Sequence, residues 1–119
     1  LDNMMIVSGE NVYPADVENY VPLLEGMKFG VLSSVPDELA GRRLVLVYER
    51  SRDDFEDAET WVKTLFSYVA PYKIPKHFIK IEALGASEIP KASNGKILRK
   101  KLENLLLVKF DEVIVSEQA

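Results

Sequence analysis

Cysteine is missing from the chain and histidine occurs once, at His77. No disulfide framework or thiolate nucleophile is therefore available, and a lone imidazole offers no pair for zinc or for a triad. No metal ligands are expected from this chain. No apolar run approaches the roughly 20 residues that span a bilayer, and no signal-peptide pattern opens the sequence. The expectation is a cytoplasmic protein without a membrane span. Positive charge is in deficit too: 15 Lys and Arg against 19 Asp and Glu give a formal charge of −4. A general nucleic-acid binder needs the opposite excess to neutralise phosphates, so no nucleic-acid partner is expected.

What is present is ordinary globular material, 47% hydrophobic and 29% charged over 119 residues. That is one domain, long enough to bury a core without staples. The first residue, Leu1, is not Met, as expected of a domain cut from a longer chain. Charge is unevenly spread. Lys91, Lys96, Arg99, Lys100 and Lys101 crowd together, while Asp53, Asp54, Glu56, Asp57 and Glu59 cluster elsewhere. A local positive patch on an acidic protein suits a small anionic ligand better than a polymer.

The basic patch contains the most informative segment, Pro90-Lys91-Ala92-Ser93-Asn94-Gly95-Lys96-Ile97-Leu98-Arg99. It presents Lys96 on a turn of small residues, a point charge suited to a phosphate or carboxylate. A P-loop would need glycine where Pro90 stands and Ser or Thr where Ile97 stands. Most lysines are solvated surface charges, and a helix N-terminus, where the spacing puts Lys96, disfavours a cation unless an anion shares the site. A second segment, Asp2-Asn3-Met4-Met5-Ile6-Val7-Ser8-Gly9-Glu10-Asn11-Val12-Tyr13-Pro14-Ala15-Asp16-Val17-Glu18, lies at the other end of the chain. Its Ser8-Gly9 pair reads as a turn whose glycine lets backbone approach a ligand.

Both segments resemble motifs of the adenylate-forming enzymes: acyl-CoA synthetases, nonribosomal adenylation domains and luciferases. Their order and separation also resemble that family's C-terminal domain. The resemblance implies that residues 1–119 form a single C-terminal lid domain whose larger N-terminal adenylation domain is absent. It implies an ATP-dependent acid–thiol ligase that forms acyl-AMP and then transfers the acyl group to CoA. Lys96 would be catalytic, contacting the substrate carboxylate and the nucleotide phosphate. Asp2 would be the hinge. Ser8, Gly9 and Glu10 would line the pantetheine channel, and Lys73 and Lys91 are candidates for the CoA phosphates. ATP, CoA and Mg²⁺ would serve the full-length enzyme, with none bound to this domain alone. Asp16 and Glu18 belong to the same motif, but at a helix start they read as capping and dipole residues rather than catalytic ones. A lid serving a carrier protein, or a stand-alone nucleotide- or protein-binding module, remain alternatives.

Periodicity supplies the framework. Residues 3–13 read as a hairpin-like piece turning at Ser8-Gly9-Glu10. Pro14 starts a helix that Pro22 shortens or kinks. Met27, Phe29 and Val31 alternate toward one face of a strand that ends before Pro36-Asp37-Glu38. Leu44 to Tyr48 is an unbroken apolar run, expected of a strand covered on both faces. A helix after Asp57 carries a stripe of Ala58, Trp61, Val62, Leu65, Phe66 and Val69. His77 to Ala83 alternates as a strand. A last helix starts near Ser93 or Asn94 and buries Leu98, Leu102, Leu105 and Leu106. Residues 108–115 are β-prone and carry no assignment, and Gly85 to Glu88 reads as a small insertion. The fold class is α+β, a small mixed sheet of about three strands packed with helices after a short hairpin-like segment.

Overall fold

A computed structural model describes residues 3–51 and 56–118. The chain opens with a hairpin of β1 (Met5–Val7) and β2 (Glu10–Val12), followed by a single helical turn, α1 (Ala15–Glu18). A 3₁₀ turn at Val21–Leu23 carries Pro22 at a position where its missing N–H costs nothing, which is why the helix is short. The main sheet has three strands, β3 (Met27–Asp37), β4 (Gly41–Arg50) and β5 (His77–Lys80). β3 and β4 pair antiparallel; β4 and β5 pair parallel, the mixed sheet that the sequence implies. The parallel pair needs a crossover, which α2 (Ala58–Phe66) supplies. The chain closes with α3 (Arg99–Gln118).

The strand β4 organises the core. All of Leu44 to Tyr48 is buried, as the apolar run requires, because both sheet faces are covered. Leu44, Leu46 and Tyr48 pack with Trp61 and Leu65 of α2 and with Val12, Val17 and Val21 from the opening segment. Val45 and Val47 face the other way, onto Ile79, Ile81, Leu102 and Leu106. Trp61 holds its place by a hydrogen bond from Nε1 to the Glu25 carbonyl at 2.7 Å. Asp57 caps α2 by accepting from the backbone N–H groups of Glu59 and Thr60.

Several expectations from periodicity are corrected. β3 runs on through Pro36 to a tight turn, and as an edge strand it tolerates proline. A bulge between Met27 and Phe29 sends Met27 to the α2 face while Phe29 and Val31 pack on the α3 face. β5 stops at Lys80, and Ile81–Leu84 turns as 3₁₀ helix. Ala58 and Phe66 are exposed rather than part of the α2 stripe. The last helix begins at Arg99, later than Ser93 or Asn94, so Leu98 stays exposed and Leu105 is half-buried. Its far end absorbs the β-prone stretch from Val108 onward, because Phe110, Val113 and Ile114 pack on the core beneath.

Candidate functional site

Lys96 stands on a hairpin rather than at a helix start. Lys91 and Ile97 form an antiparallel bridge. The Ala92 N–H donates to the Lys96 carbonyl at 2.8 Å, and the Gly95 N–H donates to the Ala92 carbonyl at 2.8 Å. Gly95 adopts φ of 88°, a left-handed conformation that stops a helix from forming there. The Asn94 side chain accepts from the Lys96 N–H at 3.0 Å, an Asx-type turn that competes with helix. The helix-dipole penalty anticipated for Lys96 therefore does not arise. Its side chain is exposed, and its ammonium makes no ion pair or hydrogen bond among the described residues. An open groove along the hairpin is lined by Asn3, Lys96, Arg99, Lys100 and Lys101.

The hairpin is fastened at its base. The Leu98 N–H donates to the Pro90 carbonyl at 3.0 Å. The Arg99 guanidinium then grips Glu18 with two contacts, Nη2 to Oε1 at 2.9 Å and Nη1 to Oε2 at 3.0 Å. Glu18 Oε2 also accepts from the Leu32 N–H at 2.8 Å. Glu18 stands in the first turn of α1 as expected, but its carboxylate bonds Leu32 and Arg99 rather than its own helix; Asp16 acts locally, accepting from the Tyr13 N–H at 2.9 Å. The Glu18–Arg99 pair was missed at the sequence level because the residues lie 81 positions apart. The only signal was that each ends one of the two motifs.

Ser8 and Gly9 form the turn between β1 and β2, with Val7 paired to Glu10. Their φ values of 50° and 83° are the left-handed pair that a two-residue hairpin uses. The turn is hooked to the β3–β4 connection by the Ser8 N–H, which donates to the Ala40 carbonyl at 2.8 Å. Ser8, Gly9 and Glu10 are all exposed. A cavity of about 510 Å³ opens behind Ser8, lined among others by Arg43, Tyr72, Ile74, Lys76 and His77. Lys76, not singled out from the sequence, joins Ser8 there, whereas Lys73 lines a different cleft.

Charge in that cavity is arranged by Asp37, Arg43 and His77. Arg43 Nη2 contacts Asp37 Oδ1 at 2.7 Å. The Asp37 carboxyl is held below its ordinary range by the Ala40 N–H and then by Arg43. Arg43 Nη1 lies 3.4 Å from His77 Nε2. A guanidinium only donates, so this contact requires the imidazole lone pair on Nε2. Burial, followed by the charges of Arg43 and Lys76, lowers the His77 pKa from its ordinary value of 6.5.

The remaining candidates are dispersed. Lys73 Nζ lies 3.3 Å from Asp16 Oδ2, in a small cleft with Tyr20 and Tyr68. Lys91 Nζ sits 4.4 Å from the centre of the Phe29 ring, a cation–π contact. Asp2 lies outside the described residues, as do Asp53 and Asp54. Among the described residues no three His, Cys, Asp or Glu side chains gather as a cation site, and no helix is long and apolar enough to cross a membrane. The lysine and the glycine turn thus line separate open surfaces rather than one closed pocket.

No protein-family profile matches the chain. Over 100 residues it is 34% identical to a 2-succinylbenzoate–CoA ligase from Staphylococcus aureus (strain bovine RF122 / ET3-1), an alignment covering 84% of this chain and 19% of that protein. A Mycobacterium tuberculosis fatty acyl CoA synthetase superposes with a TM-score of 0.75 at 30% identity, over 87% of this chain and 20% of that one. This chain belongs to the adenylate-forming acyl-CoA ligase family. It spans about a fifth of the length of the relatives it matches. MatB from Rhodopseudomonas palustris shares the fold of this acyl-CoA ligase family member, with a TM-score of 0.77 at 23% identity over 88% of this chain and 20% of that one. The two loops described above are the segments on which its family resemblance rests.

Proposed function

We propose that the chain is the C-terminal lid domain of an ATP-dependent, AMP-forming acyl-CoA ligase. The observation that carries this reading is the Lys96 ammonium, exposed on an open groove beside the turn of a well-bonded hairpin and without a partner among the described residues. Such a charge becomes useful when a second domain brings an anion to it. In the ligase, Lys96 would neutralise charge as an anionic carboxylate approaches an anionic triphosphate, so that acyl-AMP and pyrophosphate form. The Ser8-Gly9-Glu10 turn would then face the pantetheine channel while the CoA sulfur, having lost its proton, attacks the acyl-AMP carbonyl and AMP leaves. Its left-handed backbone leaves room for a ligand, since an added Cβ at Gly9 would meet nothing within 4 Å.

Asp2 would act as the hinge between the two arrangements, a motion absorbed by a few backbone torsions. Lys73 and Lys91 could reach CoA phosphates only by leaving Asp16 and the Phe29 ring. Among the described residues no acidic or imidazole side chains gather to hold a metal, and in this reading Mg²⁺, the ATP site and the acid pocket belong to the larger N-terminal domain. A cytoplasmic location, where ATP and CoA are available, goes with it.

The test uses the full-length ligase and separates its half-reactions. Lys96→Ala should slow adenylation by roughly 10²–10³-fold, the usual cost of one preorganised transition-state contact. Thioester formation from supplied acyl-AMP should stay near the wild-type rate. Equal losses in both steps would sink the assignment of Lys96 to the first.

A further inference from the structure

We infer that Glu18 and Arg99 form a clamp that fixes the Lys96 hairpin on the domain, making them a positioning pair for the lysine. The inference deepens the proposed function and takes its catalytic meaning from it, but the mechanical claim stands on geometry alone. The hairpin's internal bonds keep it closed without deciding where it points. Direction comes from its anchors: Ile97 packs against the core, Lys91 lies over the Phe29 ring, and at the base Arg99, three positions after Lys96, supplies the ion pair.

The clamp joins elements on opposite sides of the sheet. α1 packs through Val17 on the Trp61 side, whereas α3 packs through Leu102 and Leu106 on the other. Between them runs the edge strand β3. Glu18 accepts the Leu32 N–H from that edge and grips Arg99 at the same time. One carboxylate therefore ties three elements together around the rim of the sheet. The side chains of Arg99 and Glu18 are 26% and 18% exposed, so solvent screens the pair less than an exposed one. The planar guanidinium meets the carboxylate with two parallel contacts, which fixes orientation as well as distance.

Glu18 ends the segment that carries the Ser8-Gly9 turn, and Arg99 ends the segment that carries Lys96. The clamp joins the two segments at their ends. Changing from one half-reaction to the other would then move the domain as a whole and leave the spacing of its two loops unchanged.

Two measurements test this. The first is amide hydrogen exchange on the 119-residue chain, comparing Leu98 and Leu102, which flank Arg99, with Leu46 and Val47 in the core. Glu18→Gln removes the charge but keeps an acceptor for Leu32, and should speed exchange at the flanking amides roughly tenfold while the core amides are unchanged. Arg99→Lys, which keeps the charge but loses the fork, should give a smaller acceleration at the same positions and carries the test if Glu18→Gln does not fold. Unchanged exchange around Arg99, or an equal rise in the core, overturns the clamp.

The second uses the full-length ligase. Glu18→Gln should lower kcat for adenylation about tenfold at unchanged KM for ATP, with thioester transfer from acyl-AMP intact. If Lys96→Ala cripples adenylation and Glu18→Gln leaves it at the wild-type rate, the clamp has no positioning role. If Lys96→Ala itself is harmless, the proposed function fails while the exchange result still decides the mechanical claim.

Discussion

The Ser8–Gly9 turn and the Lys96 hairpin are made of similar local material and are anchored differently. Each is an exposed turn with a left-handed glycine, at φ of 83° for Gly9 and 88° for Gly95. An added Cβ at either position would meet nothing within 4 Å. The glycine turn is hooked by one backbone bond, from Ser8 to the Ala40 carbonyl. The lysine hairpin is closed by several backbone bonds and tied at its base by a bidentate ion pair. A turn that offers backbone to a ligand needs room, and light anchoring leaves room. A turn that offers one charge must hold it in place, because the benefit of a charge depends steeply on where it stands.

The strongest way to break that contrast is to weaken the domain under both loops at once. Trp61 is 1% exposed and fills the α2 side of the core. Trp61→Ala should cost about 3–5 kcal/mol of stability, enough to lower both half-reactions in parallel through the folded fraction. Urea unfolding beside both assays checks it, and a loss confined to one half-reaction would show that a loop, not the core, had been disturbed.

Substituting the two glycines should then separate the loops. A leucine at either position is forced into a left-handed conformation at roughly 1–2 kcal/mol, a local strain without a clash. In the proposed full-length ligase, Gly9→Leu should impair CoA transfer about tenfold, with adenylation less affected. Gly95→Leu should shift Lys96 and show the reverse. Pyrophosphate exchange measured beside thioester yield distinguishes the two patterns, and identical profiles would remove the division of labour.

The smallest expected effect concerns pH and the wall of the cavity behind the glycine turn. Burial, Arg43 and Lys76 lower the His77 pKa in the folded chain, and the Phe110 ring of α3 packs edge-on to the imidazole at 5.3 Å. Below about 6.5 the unfolded chain binds a proton that the folded chain resists, so stability falls as pH drops from 6.5 toward the lower folded value. His77→Gln should flatten that slope between pH 7.5 and 5.5 in urea titrations. Asp37 does not contribute there, because its lowered pKa matters only as pH falls below 3.8. A slope that survives in His77→Gln would assign it to another group.

Much of the frame was legible because burial on two faces leaves an unmistakable trace. Leu44 to Tyr48 could be read as a central strand, and α2 around Trp61 and Leu65 could be read from its spacing. Errors arose where one local pattern admitted two conformations. Leu98, Leu102, Leu105 and Leu106 suggest a longer helix, yet Gly95 and the Asn94 side chain choose a hairpin first. The β-prone stretch after Leu107 is helical because tertiary packing of Phe110 and Val113 outweighs propensity. The bulge at Met27 could not be seen in any alternation, since it exists only in the pairing with β4.

By itself the sequence determined the α+β class, the central strand, the two turns and the family to which they point. Those are written in short spans, where backbone preference and apolar period act over a few residues. The tertiary structure decided where each charge goes. Lys73 turns to Asp16, Lys91 to Phe29 and Arg99 to Glu18, while Lys96 meets no partner among the described residues. The reason is that a charge is settled by whichever partner the fold brings within a few ångströms, and that partner stood 81 residues away for Arg99.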